Sequence, residues 1–252
     1  MSERSQFQLQ EQHVPTCHDP EFSRRSLLGQ CVLASACGIA VFSKHLTATP
    51  VFVDEKQPVV SPATPEEALK SLYSGNSRFA SGKSGADRDI NRVRAVAREQ
   101  KPFAAFLGCA DSRVPIEIIF DQGFGDLFVT RIAGNVASSE NIGSLEFGTL
   151  VLGAKVLYVL GHTECGAVSA TMKGTDVPGQ ISGLFQHIRP AVKAAKGDLN
   201  KAILENVRNQ ANLLAEASPV ISKMVQRKEL IVAGGIYDLA TGTVTPVSVG
   251  FN

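Results

Sequence analysis

The sequence predicts an α/β domain built around a mainly parallel sheet with flanking helices and an N-terminal helical arm. Short, continuous apolar runs alternate with segments of helical periodicity, and such runs are typical of strands covered on both faces. The composition agrees, because 44% of the 252 residues are hydrophobic and 19% are charged, as in soluble globular proteins. Strand–helix alternation of this kind favours a parallel sheet.

Two helices are predicted before the sheet. Thr64 can cap a helix that begins at Pro65, and Glu67 completes a capping box with Thr64. The stretch DINRVRAVAREQ, residues 89–100, is expected to form the second helix.

The apolar runs predict the strands, and the segments between them predict the remaining helices. Strands are expected in PFAAFLGC, DLFVTRIAG, KVLYVLGH and ELIVAGGIYD. Helices are expected in SSENIGSLEFGTLVLGA, CGAVSATMKG, NKAILENVRNQANLLAEA and SPVISKMVQRKE. The ending YDLATGTVTPVSV predicts a turn at Thr241–Gly242 and then an edge strand.

The chain divides into a leader, residues 1–48, a Pro-rich tether, residues 49–63, and the domain, residues 64–252. Arg24 and Arg25 precede a 16-residue apolar run, which is shorter than the roughly 20 residues of a spanning helix. This pattern resembles a twin-arginine export signal and predicts a periplasmic or equivalent location, with membrane attachment if the leader is retained. A buried helix in a cytosolic protein is the alternative, and cleavage near Cys37 or Ala48 is left open.

Charge and cysteine content exclude two classes of protein. The net charge is +1, with three Tyr and no Trp, so a nucleic-acid partner is not expected. The domain contains two cysteines, Cys109 and Cys165, which is too few for a disulfide framework.

Three potential metal ligands follow two of the predicted strands. Cys109 ends one apolar run, His162 ends another, and Cys165 lies in the next turn. Because the carboxyl ends of parallel strands meet at one edge of a sheet, these side chains should converge there. Two thiolates and an imidazole suit Zn²⁺, and three ligands leave a position for water. A Cys109–Cys165 disulfide, a structural zinc with Asp111 as fourth ligand, and a core role for His162 are the alternatives.

The stretches CADSR, from Cys109, and HTEC, which begins 53 residues later, resemble the paired motifs of β-class carbonic anhydrases. NSRFASG, GDLFVTRIAGN, SLEFG and HIRPAV extend the resemblance from about Pro65 to the C-terminus. It implies one Zn²⁺ per chain on Cys109, His162 and Cys165. It also implies a homodimer or higher homo-oligomer in which the N-terminal helices wrap the partner subunit.

The implied reaction is the reversible hydration of CO₂ to bicarbonate and a proton by zinc-bound hydroxide. Asp111 would orient the hydroxide, and Arg113 would hold Asp111 ionised through paired hydrogen bonds. His187 is either a proton shuttle or a surface or interface histidine on a helix.

The resemblance also suggests a subtype. Members inhibited by bicarbonate usually carry Trp three residues before the first zinc cysteine, whereas this chain has Phe106. Gln122 matches a substrate-binding glutamine of the other group, in which zinc is open to water.

The alternatives to CO₂ hydration are a CS₂ or COS hydrolase and a non-enzymatic zinc-binding subunit of an inorganic-carbon uptake assembly. The intact pair of Asp111 and Arg113, together with Gln122, favours CO₂.

Overall fold

The structure is a computed structural model that describes residues 62–174 and 176–250. The predicted leader, residues 1–48, and all but the end of the predicted tether lie outside the described residues. The export signal and the cleavage site therefore stay predictions. Within the described ranges, no helix combines the length and apolar character needed to cross a bilayer.

A five-stranded sheet forms the centre of the domain, with the strand order β2-β1-β3-β4-β5. The strands are β1 Ala104–Gly108, β2 Leu127–Arg131, β3 Val156–His162, β4 Ile231–Tyr237 and β5 Val244–Val247. The first four are parallel, and β5 returns antiparallel to β4. The predicted fold class is confirmed, including the turn at Thr241–Gly242, where Gly242 has a φ of 74°.

Eight α-helices surround the sheet in the described part of the chain. They are α1 Pro65–Ala80, α2 Ile90–Ala95, α3 Ile116–Ile119, α4 Ser139–Glu146, α5 Gly166–Lys173, α6 Ile181–Ala195, α7 Leu199–Ala217 and α8 Pro219–Gln226. The predicted capping box is present at the start of α1, where Thr64 accepts from the Glu67 amide and the Glu67 carboxylate accepts from the Thr64 amide.

The sheet has a hydrophobic core on each face because alternate residues of its strands point in opposite directions. Ala104 and Phe106 of β1 belong to the core that α1 and α3 complete. Ala105 and Leu107 belong to the core under α7 and α8. Both faces of β1 and β3 are therefore buried, which explains their unbroken apolar sequences.

Three parts of the helix prediction differ from the structure. The second helix ends at Ala95 rather than near residue 100, because none of its residues is buried to hold a longer helix. The segment 138–154 is split between α4 and a π-helical turn at Phe147–Val151. The predicted elements also lack α3, which has one turn, and they give no bounds for α6, the helix that carries His187 and whose interior Pro190 interrupts a helical pattern.

Asp121 connects three segments of the chain. Its fully buried carboxylate accepts from Arg78 of α1 at 2.6 Å and from Arg88 at 3.0 Å. The backbone amides of Gly85 and Ala86 donate to the same carboxylate. The loop between α1 and α2 is thereby fastened to α1 and to the end of α3.

Candidate metal centre

Three potential ligands meet at the carboxyl edge of the sheet, as the sequence predicts. Cys109 follows β1, His162 is the last residue of β3, and Cys165 is the N-cap of α5. All three are buried, and their ligand atoms lie within 4.8 Å of one another. These separations suit one shared ion, since bonds from zinc to nitrogen and sulfur are about 2.0–2.3 Å.

The orientation of the imidazole prepares one nitrogen for a metal. His162 Nδ1 lies 2.8 Å from the Thr163 carbonyl oxygen. A carbonyl can only accept, so Nδ1 carries the proton and Nε2 keeps its lone pair. Nε2 is buried and has no hydrogen-bond partner among the described residues. An unpartnered buried acceptor beside two sulfur atoms fits a zinc ligand, and it does not fit a histidine that merely fills the core.

The two cysteines are free thiols and form no disulfide. The neighbouring Cys165 side chain lowers the pKa of Cys109, with a smaller contribution from the hydrogen bond of the Gly134 amide. The same contact and burial raise the pKa of Cys165. The two thiols therefore differ in acidity, and zinc binding to both of them as thiolates would release the thiol proton of Cys165.

Asp111 and Arg113 form a two-point ion pair at the rim of the cluster. Arg113 Nε donates to Asp111 Oδ1 at 3.0 Å, and a terminal nitrogen donates to Oδ2 at 2.8 Å. The hydrogen bonds from Arg113 hold the pKa of Asp111 well below its usual range. Asp111 Oδ2 lies 3.9 Å from His162 Nε2. An ionised carboxylate is thus fixed beside the cluster while both of its oxygens remain engaged by Arg113.

Two residues, Arg131 and Gly134, make contacts at the site that the sequence does not predict. Arg131, at the end of β2, donates from Nε to the Cys109 carbonyl at 3.0 Å and from a terminal nitrogen to the Asp111 carbonyl. The amide of Gly134 donates to the Cys109 sulfur at 3.3 Å. Gly134 has a φ of 77°, and a Cβ there would lie 2.7 Å from Ile188 Cδ1. Arg131 lies toward the carboxyl end of the predicted strand DLFVTRIAG, and that position at the edge of the sheet is the sequence signal that could have located it.

The hydrogen bonds of the described residues do not link Gln122 or the His187 ring to the cluster. Gln122 is buried, and its amide nitrogen donates to the Phe120 carbonyl at 2.7 Å. His187 is a half-buried residue of α6 whose ring lies 3.4 Å from the Gln186 amide. The helix expected for His187 is present, and the functional roles of both residues stay predictions.

Comparison with known proteins identifies relatives of this chain. A family model described as carbonic anhydrase matches residues 104–244. Carbonic anhydrase 2 of Mycobacterium tuberculosis is 36% identical over 187 residues, which cover 71% of this chain and 90% of that protein. The carbonic anhydrase of Mycolicibacterium smegmatis is 35% identical over 191 residues, covering 72% and 93%.

Solved structures share the fold. A Coccomyxa β-carbonic anhydrase in complex with acetazolamide superposes with a TM-score of 0.56 at 27% identity, over 75% of this chain and 90% of that one. A tetrameric β-carbonic anhydrase of Sordaria macrospora gives a TM-score of 0.60 at 21% identity, over 73% and 97%. Because the family match includes both halves of the cluster and the mycobacterial relatives align over more than two thirds of the chain, the chain belongs to the β-class carbonic anhydrases, zinc-dependent enzymes that hydrate CO₂ reversibly.

Proposed function

We propose that Cys109, His162 and Cys165 hold the zinc ion of this carbonic anhydrase and that Asp111 and Arg113 direct the reaction beside it. The observation that carries the assignment is the unpartnered, buried Nε2 of His162 among two free cysteine sulfurs. Asp111 is the ionised group next to this cluster, with Oδ2 3.9 Å from that nitrogen.

Bound zinc would lower the pKa of water enough to supply a hydroxide nucleophile near neutral pH. The protein contributes orientation. Asp111 accepts a hydrogen bond from the nucleophile and so directs its lone pair toward the carbon of CO₂. Arg113 keeps Asp111 ionised and fixes its plane through two parallel hydrogen bonds. The products are bicarbonate and a proton, and the proton leaves for solvent.

Stopped-flow CO₂ hydration by the full chain, with its zinc content measured in the same preparation, tests this function. One zinc per chain and hydration that disappears on chelation and returns with zinc are expected. Hydration that survives complete removal of zinc would contradict the proposed mechanism.

The proposal includes the subtype that is not switched off by bicarbonate. Phe106 supports it because the ring is buried against Phe120 and Tyr158, with centroids 5.0 and 5.4 Å away. A phenyl ring also lacks the N–H with which an indole could bind an oxyanion. The hydration rate should show simple product inhibition as bicarbonate is added, and a cooperative loss of activity would contradict the subtype.

The predicted substrate contact of Gln122 requires its amide to leave the Phe120 carbonyl, and Gln122→Ala tests whether hydration falls while zinc stays bound.

A homo-oligomer is the proposed assembly. Strand β2 is an edge of the sheet, and exposed apolar side chains lie on the nearby π-helical turn, namely Phe147, Leu150 and Val151. Phe147 also contacts Phe128 of β2. An apolar patch beside an open strand edge is suited to burial against a second copy. Sedimentation of the purified chain tests this, and a monomer at micromolar concentration would contradict it.

Export through the twin-arginine pathway, with attachment to the membrane if the leader is kept, is the proposed location. Arg24 and Arg25 before the short apolar run support it. The site adds a chemical reason, because Cys109 and Cys165 are free and close together and would be open to oxidation in an oxidising compartment before zinc protects them. A route that carries a folded, zinc-loaded protein avoids the oxidation of these two cysteines.

A further inference from the structure

A chain of buried hydrogen bonds leads from α7 to the sulfur of Cys109. The Gly134 amide donates to that sulfur at 3.3 Å. The Gly134 carbonyl accepts from Asn206 Nδ2 at 2.8 Å. Asn206 Oδ1 accepts in turn from Gln210 Nε2 at 3.3 Å. The N–H and the C=O of Gly134, which belong to successive peptide groups, are therefore both engaged, one by a zinc-site sulfur and the other by a side chain of α7.

Gln210 holds the same segment at a second point. Its Oε1 accepts from the Ala137 amide at 2.8 Å, and its Nε2 also donates to the His187 carbonyl of α6. Asn206 and Gln210 are one helical turn apart, so they lie on the same face of α7. Together they fasten residues 134–137 and α6 to one helix.

These two amides are placed where a helix normally carries apolar side chains. Asn206 is 1% exposed and Gln210 is 2% exposed, and the neighbouring Val207, Ala211 and Leu214 belong to the hydrophobic core. A carboxamide costs free energy in such a position unless its hydrogen bonds are made. Here every observed partner belongs to the segment beside Cys109, to α6 or to the pair itself. Packing alone does not explain amides at these positions.

The segment they hold has a backbone that needs support. Gly134 and Asn135 have φ values of 77° and 44°, two successive residues in the left-handed region. For a residue other than glycine this conformation is uncommon and persists when its surroundings enforce it. Without the contacts from α7, the segment would be free to turn the Gly134 amide away from the sulfur.

We propose that Asn206 and Gln210 are positioning residues for the zinc site, which fix the backbone of Gly134 so that its N–H donates to the Cys109 sulfur. A hydrogen bond to a ligating thiolate withdraws charge from the sulfur and fixes its direction, so it governs both metal retention and the electron density that the thiolate gives to the metal. The inference rests on the proposed role of Cys109 as a ligand. The inference adds the backbone of Gly134 and the side chains of Asn206 and Gln210 as the groups that orient the hydrogen bond to the Cys109 sulfur.

The direct test uses NMR of the wild-type chain loaded with NMR-active cadmium in place of zinc. The Gly134 amide proton should show a coupling to the metal that passes through the N–H···S hydrogen bond. Cadmium coupled to the β-protons of Cys109 but not to the Gly134 amide would overturn this inference and leave the zinc assignment intact. Cadmium without coupling to the Cys109 protons would overturn the zinc assignment itself.

Variants then test the role of α7. Asn206→Leu and Gln210→Met keep the approximate size of the side chains and remove the hydrogen bonds. Chelator competition should show zinc affinity about 10- to 100-fold weaker, with the larger loss in Asn206→Leu. In the cobalt-substituted chains the sulfur-to-metal charge-transfer band should move to lower energy, because the thiolate regains electron density.

Leu214→Ala is the matched control. Leu214 lies on the same face of α7 and is fully buried, but its side chain cannot form a hydrogen bond to residues 134–137. This variant should lose stability while keeping the wild-type cobalt band and zinc affinity. An unchanged band and affinity in Asn206→Leu and Gln210→Met, or equal changes in Leu214→Ala, would overturn the positioning role. If both amide variants fail to fold, the cadmium coupling in the wild-type chain still decides the Gly134 contact, and its absence overturns the proposal.

Discussion

A serine at position 109 replaces a soft thiolate with a hydroxyl that zinc binds weakly. Cys109→Ser should therefore leave the chain with little or no zinc after dialysis, whereas the wild type retains one zinc per chain. Metal analysis measures this directly. Cys31→Ser is the matched control, because Cys31 belongs to the predicted leader, and it should retain zinc fully. Equal zinc in Cys109→Ser and the wild type would remove Cys109 from the ligand set.

Asp111→Asn separates metal binding from orientation of the nucleophile. The amide keeps the size of the carboxylate, but it loses the charge that pairs with Arg113 and one of its two acceptor oxygens. Zinc should stay bound, and kcat for hydration should fall on the order of 100-fold because the nucleophile is no longer aligned. Glu117→Gln, an exposed change on α3, should leave kcat unaltered. Wild-type turnover in Asp111→Asn would show that Asp111 has no part in the reaction.

Residues within a short motif were predictable, and residues joined across the fold were not. Cys109, Asp111 and Arg113 lie within five consecutive positions, so the sequence shows these three groups side by side. Asn206 acts on a peptide 72 positions earlier in the chain. In the sequence it is one polar residue in an amphipathic helix. Its role follows only from the packing of α7 against residues 134–137.

The ion-pair network around Asp121 is the main polar connection between α1 and the loop that follows it. Asp121→Asn should lower the free energy of unfolding by about 2 kcal/mol at pH 7, because a fully buried acceptor loses its charge while Arg78 and Arg88 lose a partner. The side chains of Arg78 and Arg88 are 45% and 28% exposed, so solvent screens part of the loss. Urea unfolding of the zinc-loaded chains measures the difference.

The difference in unfolding free energy between the wild type and Asp121→Asn depends on pH through the pKa of Asp121. Burial opposes ionisation, but hydrogen bonds from Arg78 and from the amides of Ala86 and Gly85 lower the pKa in the folded state. The stabilisation is therefore complete above the unfolded value of about 3.9 and is lost as the pH falls toward the folded value. The gap between wild type and Asp121→Asn should narrow below about pH 4. Glu205→Gln, which removes a partly exposed i,i+3 pair with Arg208, should change stability by at most about 0.5 kcal/mol at either pH.

Strands β1 and β3 were predictable because burial on both sides leaves an unbroken apolar sequence. Helix α6 was harder to predict because Pro190 lies inside it, and the burial of Phe185, Ile188 and Ala191 compensates for the interruption. The single turn of α3 is too short to show a helical period. Contacts with the rest of the fold, and not local preference, define these two elements.

Changing Arg24 and Arg25 to Lys together tests the location of the whole molecule. If the twin-arginine pathway exports the folded enzyme, the variant should remain in the cytoplasm with zinc bound and full hydration activity. Cell fractionation followed by an activity assay measures both properties. A control with Arg98→Lys, an exposed position in the domain, should be exported normally. Export of the double variant would exclude this pathway.

The parallel pairing of β1 with β3 determines when the protein can capture its metal during folding. Cys109 and His162 are 53 positions apart, and β2 lies between them in the chain. Closing so long a loop is slow compared with local structure formation, so we expect the ligands to meet only after the central strands have paired. In a zinc finger, by contrast, the chain is unfolded without metal. In this enzyme, zinc should slow unfolding and leave the refolding rate unchanged, which stopped-flow refolding with and without zinc would reveal. Zinc would then bind to a sheet that has already formed and stabilise it against unfolding.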